Sequence, residues 1–156
     1  MIPIEIKQHV SISLPIADTF AYMSNLENLA EWSSFIMTAH KTSPEEMQVG
    51  TVLQSTIRFL GHRSNVTFEV IEHEPNHFLT MKSIAGVAPC LVYYRFGPDC
   101  DGGTNFSQEV VIYITENMSE LAVPVLRNAV QRMLDCDLLM LKDMLEAKAA
   151  PHKIAN

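Results

Sequence analysis

The clearest periodic pattern lies near the C-terminus, where apolar residues recur every three or four positions from Leu121 to Leu145. This spacing is typical of a long helix with one buried stripe. The stripe consists of Leu126, Val130, Met133, Leu134, Leu141, Met144 and Leu145, with Ala129, Leu138 and Met140 on its flanks. Because proline lacks an N–H group, Pro124 predicts that the helix begins within the four residues before it.

One acidic residue interrupts this stripe. At about 100° per residue, Asp137 projects between Leu126 and Val130, in the middle of the apolar face. A buried carboxylate without a partner costs several kcal/mol. Asp137 is therefore either a pocket carboxylate that orients a ligand hydroxyl or acts as a general base, or a structural residue that pairs with a strand residue or lies on a wet part of the helix.

The rest of the chain alternates with a period of two. From Ile4 to Leu14, apolar residues face one way and polar residues the other, which predicts a half-buried strand with Gln8 as the exception. Two short helices follow, one opened by Pro15 and one around Leu26–Trp32. Six more strands are predicted, at Phe35–Thr42, Thr51–Leu60, Asn65–Glu72, Phe78–Ile84, Leu91–Phe96 and Thr104–Ile114.

This order of elements predicts an α+β fold. Consecutive strands joined by short turns form an antiparallel sheet, and a curved sheet wrapped around one long helix buries both apolar faces. The 156 residues fit one domain, which we assign to residues 1–148, with residues 149–156 as a flexible tail.

Charge and cysteine content narrow the possible partners and location. The net charge of -7, with no basic stripe, argues against nucleic acid, and no apolar run reaches membrane-spanning length. Three cysteines, in no metal-binding motif, and the lack of a signal peptide predict a reduced, cytoplasmic protein. We expect a monomer or a homodimer. We expect Cys100 to be exposed, and Cys90 and Cys136 to act as small apolar residues. No cofactor and no metal ion are predicted.

Several local signatures, spread over nearly the whole chain, resemble one known superfamily. They are Pro15–Met23, Trp32, Val49–Thr51, Phe68–Pro75, Tyr94–Pro98 and Gly103–Thr104. Their order resembles the helix-grip fold of the START-like, Bet v-type (SRPBCC) superfamily, in the branch of polyketide cyclase/dehydrase-like and lipid-transport-like proteins. The resemblance implies a seven-stranded curved antiparallel sheet around the C-terminal helix, with a cavity between them for a small apolar molecule.

The resemblance leaves three functions open, because one scaffold hosts many activities. The first is a binding protein for a small hydrophobic ligand such as a lipid, an aromatic or a polyketide-like compound. The second is a cofactor-independent polyketide cyclase or dehydratase that uses Asp137 with Tyr94 and Gln108 for acid/base chemistry. The third is an interaction protein without a ligand.

The candidate site residues combine a polar spot with an apolar lining. Gln108 shares the inward parity of the last strand, and the resembled fold places that strand beside the first. Gln8, Gln108 and Asp137 could then form one polar spot, unless an edge irregularity turns Gln8 to solvent. The remaining ligand-binding candidates are Phe59, Phe68, Met81, Tyr94, Phe106, Met133 and Met140, for which ordinary core packing is the alternative.

Overall fold

The segments that alternate form strands, and those with helical spacing form helices. The elements are β1 (Ile2–Ile12), α1 (Ile16–Ser24), a 3₁₀ turn (Leu26–Asn28), α2 (Leu29–Trp32), β2 (Ile36–Lys41), β3 (Val52–Phe59), β4 (His62–Glu74), β5 (Phe78–Ala85), β6 (Cys90–Pro98), β7 (Thr104–Ile114) and α3 (Ala122–Ile154). This computed structural model describes residues 2–43, 46–59, 61–86, 88–114 and 122–154, the last five as backbone. The predicted α+β fold is confirmed.

The seven strands form one antiparallel sheet in the order β1-β7-β6-β5-β4-β3-β2. Every strand except β1 thus pairs with its neighbour in sequence, and β1 closes the far edge against β7. The register shifts between Ile36 and Thr38, and twice along β4. Such bulges bend a strand and increase its twist, so they help the sheet to curve around α3.

The junction of β1 with β7 depends on one glycine. A Cβ atom at position 103 would lie 2.5 Å from the carbonyl oxygen of Ile12, so a larger residue would push the strands apart. The next residue, Thr104, donates a hydrogen bond from Oγ1 to the carbonyl oxygen of Leu14, at 2.7 Å. Gly103-Thr104 therefore fixes where β7 begins beside the end of β1.

Helix α3 lies against the concave face of the sheet and divides the interior into two clusters. Its first half packs Leu126, Val130 and Leu134 against Ile4 and Ile6 of β1. Its second half packs against a cluster rich in aromatic residues, through Leu138, Leu141 and Leu145. The leucines and the valine of the predicted stripe are thus buried, whereas its methionines, Met133 and Met144, are half-buried.

Some predicted boundaries differ from the observed ones. Helix α3 continues to Ile154, through most of the segment assigned to a tail, whereas the domain assignment and the flexibility of that tail stay predictions. The segment Leu26–Trp32 divides into the 3₁₀ turn and α2. The predicted ends at Leu60 and Leu121 fall on residues outside the described part of the chain.

Candidate functional site

A cavity of about 320 Å³ lies between the concave face of the sheet and the first half of α3. Its helical wall is Leu126, Val130 and Leu134, and the segment 33–36 closes one side. Strand residues supply most of the remaining wall: Ile4, Ile57, Phe59, Val66, Phe68, Met81, Cys90, Val92, Tyr94, Gln108, Val110, Ile112 and Ile114. Most of this surface is aliphatic or aromatic, so the cavity suits an apolar guest.

Only a few polar groups interrupt the apolar wall. Among the described residues that line the cavity, Ser33, Cys90, Tyr94 and Gln108 carry side-chain oxygen, nitrogen or sulfur atoms able to donate a hydrogen bond, and none carries a formal charge. Burial raises the pKa of the Cys90 thiol, which keeps it protonated. The cavity therefore offers hydrogen bonds without an ionic partner.

Tyr94 stands where the cavity meets the packed aromatic cluster. Its ring lies 5.5 Å from that of Phe106 and 6.4 Å from that of Trp32, measured between ring centroids. Burial raises the pKa of the Tyr94 phenol, and the nearby Asp137 carboxylate and Cys90 thiol raise it further. Tyr94 is thus a neutral hydroxyl for which the described residues supply no hydrogen-bond partner.

Gln108 is the second polar residue of the wall, and it belongs to a chain of hydrogen bonds. It lies opposite Gln8 in the β1–β7 register and donates from Nε2 to Gln8 Oε1 at 3.1 Å. Gln8 in turn donates from Nε2 to Asp135 Oδ1, which also accepts a hydrogen bond from Gln131 at 3.0 Å. The predicted proximity of the two glutamines is confirmed.

Asp137 does not join this chain, so the predicted three-residue polar spot is wrong. The side chain is buried, but Oδ2 accepts hydrogen bonds from Ser34 N and Ser34 Oγ, both at 3.1 Å. Burial raises the pKa of Asp137, and these two hydrogen bonds partly lower it. The carboxylate that reaches Gln8 belongs to Asp135 instead, because Asp135 projects from the side of α3 that overlies β1.

Ser34 explains why a carboxylate is tolerated within the apolar stripe. Ser33 and Phe35, on either side of it, both line the cavity. By accepting two hydrogen bonds from the residue between them, Asp137 holds this segment against α3. A structural role therefore describes the position of Asp137 best, although its partner lies in a loop and not in a strand as expected.

Four other predicted site residues lie away from the cavity wall. Gln8 reaches the cavity only through Gln108, and Phe106 is fully buried in the aromatic cluster. Met133 is half-buried beside the wall, whereas Met140 is 52% exposed. The cavity-facing positions of α3 are spaced by four, at 126, 130 and 134, which turns Met140 to the outer surface and makes its assignment to the lining wrong. Cys136, expected to be a small apolar residue, is also exposed.

The sequence interpretation missed several lining residues. Val110 and Ile112 share the parity of Gln108 on β7, and Leu126 and Val130 share the helical stripe, so a usable signal existed for each. Ser33 and Ser34 lie in a short loop without periodicity, and no pattern in the sequence marks them. Five of the predicted ligand-binding residues line the cavity, and their role in binding a ligand stays a prediction: Phe59, Phe68, Met81, Tyr94 and Gln108.

A second depression, on the convex face of the sheet, has a different chemistry. It measures about 330 Å³ and is lined by residues of both charge signs, including Lys7, Arg95 and Glu109. The Lys7 ammonium lies 3.9 Å from the Glu109 carboxylate. Because this depression lacks an apolar wall, the cavity under α3 is the better candidate site.

Two further observations limit the kinds of site present. Within the described ranges, no three or more His, Cys, Asp or Glu side chains are grouped so that they could hold a metal ion. Of the helices in the described part of the chain, none combines the length and hydrophobicity needed to span a bilayer.

The fold and its cavity define a helix-grip protein of the START/SRPBCC superfamily. Residues 3–146 match the family described as polyketide cyclase/dehydrase and lipid transport, and the chain belongs to that family. A comparison with curated proteins finds no significant match.

Solved structures with low sequence identity share the fold. The protein TTHA0849 from Thermus thermophilus has a TM-score of 0.78 at 16% identity, over 92% of this chain and 98% of its own. The aromatase/cyclase Zhui from a Streptomyces species has a TM-score of 0.77 at 12% identity, over 95% and 96%. A START superfamily protein from Mycobacterium smegmatis has a TM-score of 0.74 at 12% identity, over 90% and 98%.

Proposed function

We propose that this protein binds a small hydrophobic molecule in the cavity between the sheet and α3. The observation that carries the proposal is an unfilled space of about 320 Å³ with an almost wholly apolar wall. Burying apolar ligand surface there gains about 25 cal/mol per Å², and the preformed shape limits the entropy lost on binding. The cytoplasmic location and the monomeric or homodimeric state stay predictions.

Binding is favoured over acid/base catalysis by the position of Asp137. Its Oδ2 already accepts two hydrogen bonds from Ser34, and the side chain is not part of the cavity wall. A general base must lie within hydrogen-bond reach of the proton that it removes. Asp137 therefore supports the wall of the cavity in this proposal and does not act on the ligand.

A cyclase or dehydratase activity is the second candidate, favoured by the presence of Tyr94 and Gln108 in the same wall. A neutral phenol and an amide could stabilise an enolate oxygen without a charged residue. If the protein is such an enzyme, Tyr94→Phe abolishes turnover of a polyketide substrate while leaving ligand affinity within about threefold. The interaction-protein alternative requires no cavity and leaves this one unexplained.

Fluorescence titration with N-phenyl-1-naphthylamine, an uncharged hydrophobic probe whose one polar group is an N–H, tests the binding proposal. Val130 lies in the cavity wall and is 1% exposed, whereas Val125, earlier in the same helix, is 69% exposed. We expect saturable binding to the wild type, at least tenfold weaker binding to Val130→Phe, and unchanged binding to Val125→Phe. No saturable binding to the wild type, or equal binding to both variants, would contradict the proposal.

A further inference from the structure

The hydrogen-bond chain that ends at Gln108 has a fixed direction. An amide side chain can present either its oxygen or its NH₂ group to a neighbour, and the network must decide between them. Here the network begins at the carboxylate of Asp135, whose oxygens accept hydrogen bonds. Asp135 therefore requires that Gln8 present Nε2 to it, as observed.

The orientation of the Gln8 amide in turn determines the orientation of the Gln108 amide. With its Nε2 turned to Asp135, Gln8 presents Oε1 to its neighbour, and Gln108 must donate Nε2 to that oxygen at 3.1 Å. Gln108 Oε1 then remains the acceptor of a side chain that is only 3% exposed and lines the cavity. The described residues supply no donor for this oxygen.

The wall around Gln108 also excludes ionic ligands. An ionised carboxylate or ammonium group that leaves water is costly to bury unless it is paired, and the described lining residues offer no charged partner. An uncharged ligand avoids that cost. A ligand that donates a hydrogen bond also satisfies Gln108 Oε1, and Tyr94, opposite Gln108 in the β6–β7 register, supplies a hydroxyl to the same region of the wall.

We infer that the cavity selects uncharged hydrophobic molecules carrying a hydroxyl or N–H donor, and that Asp135 is the positioning residue that sets this preference through Gln8 and Gln108. This inference rests on the proposed binding function and narrows it to a ligand class such as phenols and long-chain alcohols. Asp135 itself lies outside the cavity and acts only by fixing the direction of the two amides.

Competition against bound N-phenyl-1-naphthylamine at pH 7 tests this preference. The competitors are 1-naphthol, its methyl ether 1-methoxynaphthalene, and ionised 1-naphthoate, which share one ring system and differ in polar group. One net hydrogen bond corresponds to about a two- to tenfold difference in affinity. We expect wild-type protein to prefer naphthol over the ether by about that factor, and to bind naphthoate most weakly.

Asp135→Lys should remove the preference, because an ammonium group only donates hydrogen bonds. Gln8 then accepts from the lysine and donates to Gln108 Oε1, so Gln108 presents Nε2 to the cavity. The naphthol-to-ether affinity ratio should fall to about one or below in Asp135→Lys and return in Asp135→Glu. Asp143→Lys, the same charge change at an exposed position of α3, should keep the wild-type ratio.

The possible outcomes separate this inference from the proposed function. If the probe binds and the wild-type ratio is near one, or if Asp135→Lys keeps the wild-type ratio, the inference is wrong while the binding function stands. If 1-naphthoate competes as well as 1-naphthol, the exclusion of charged ligands is wrong. If the probe does not bind to the wild type, both proposals fail.

Discussion

The two ends of the interior are built from the same sheet and the same helix, yet one is packed and the other is hollow. At the packed end, the Phe20 and Phe96 rings lie 5.0 Å apart, and Phe106 lies 5.3 Å from Phe96. These rings fill the space beneath Leu138 and Leu141. At the hollow end, the cavity wall includes four short valines: Val66, Val92, Val110 and Val130. The hollow end therefore provides the space in which a ligand could fit.

The largest expected effect on stability comes from making the same substitution, Phe to Ala, at each of the two ends. Phe106→Ala should cost about 3–5 kcal/mol in the free energy of unfolding, because a fully buried ring leaves a void in a packed cluster. Phe59→Ala, in the half-buried cavity wall, should cost less than half as much. Urea denaturation measures both. Equal losses would mean that the two ends are equally packed.

The second comparison replaces a small side chain with a large one at each end. Val70→Phe should cost about 1–3 kcal/mol, because Val70 is 1% exposed within the packed cluster and has no room for a ring. Val130→Phe should cost less than about 1 kcal/mol, because its ring can enter the cavity. A larger loss for Val130→Phe than for Val70→Phe would place the free volume at the other end.

Asp137 lies between the two ends and should affect stability in a pH-dependent manner. Because its folded-state pKa is raised above the ordinary value of 3.8, the folded protein binds the proton more tightly than the unfolded chain. Its contribution to stability is complete below pH 3.8 and is lost as the pH rises through the raised value. Asp137→Asn should therefore gain stability relative to the wild type between about pH 4 and pH 7. A constant difference across that range would show that Asp137 titrates normally.

Substitution of Glu146, in the second half of α3, should have the smallest effect on stability. The pH dependence of that effect should be opposite in sign to that of Asp137. It accepts hydrogen bonds from Lys142 Nζ at 2.7 Å and from Ser13 N at 3.0 Å, and the first of these contributes most to lowering its pKa. The contribution of ionised Glu146 to stability is present above its ordinary pKa of 4.5. It is lost as the pH falls through the lowered pKa of the folded state. Glu146→Gln should cost about 0.2–1 kcal/mol at pH 7, since the pair is partly exposed. Thermal unfolding should show a larger difference between Glu146→Gln and the wild type at pH 7 than at pH 3.

The sequence was sufficient for the fold because its patterns are long and local. The alternation in Thr104–Ile114 and the stripe that ends at Leu145 each extend over many residues, so tertiary contacts reinforce a preference that the segment already has. The ends of the predicted elements were less accurate. The first strand, for example, was predicted over Ile4–Leu14 but extends over Ile2–Ile12, because strand pairing and not the local pattern decides where a strand ends.

The site was predicted less completely because it depends on partners from distant segments. Helical projection correctly marked Asp137 as unusual, but it could not show that Ser34, 103 residues away in sequence, holds its carboxylate. Asp135 lies outside the apolar stripe, at a position where no pattern reveals a hydrogen bond to Gln8. Whether a buried face is filled or hollow depends on summed side-chain volumes across seven strands and a helix, which periodicity does not measure.

A crystal structure determined under xenon pressure would test the central difference between the two ends most directly, because apolar cavities take up xenon. We expect xenon density in the space bounded by Val110 and Val130, beneath the first half of α3. We expect no xenon density in the aromatic cluster around Phe106. A xenon-free structure in which side chains fill the space beside Val130 would contradict this difference between the two ends.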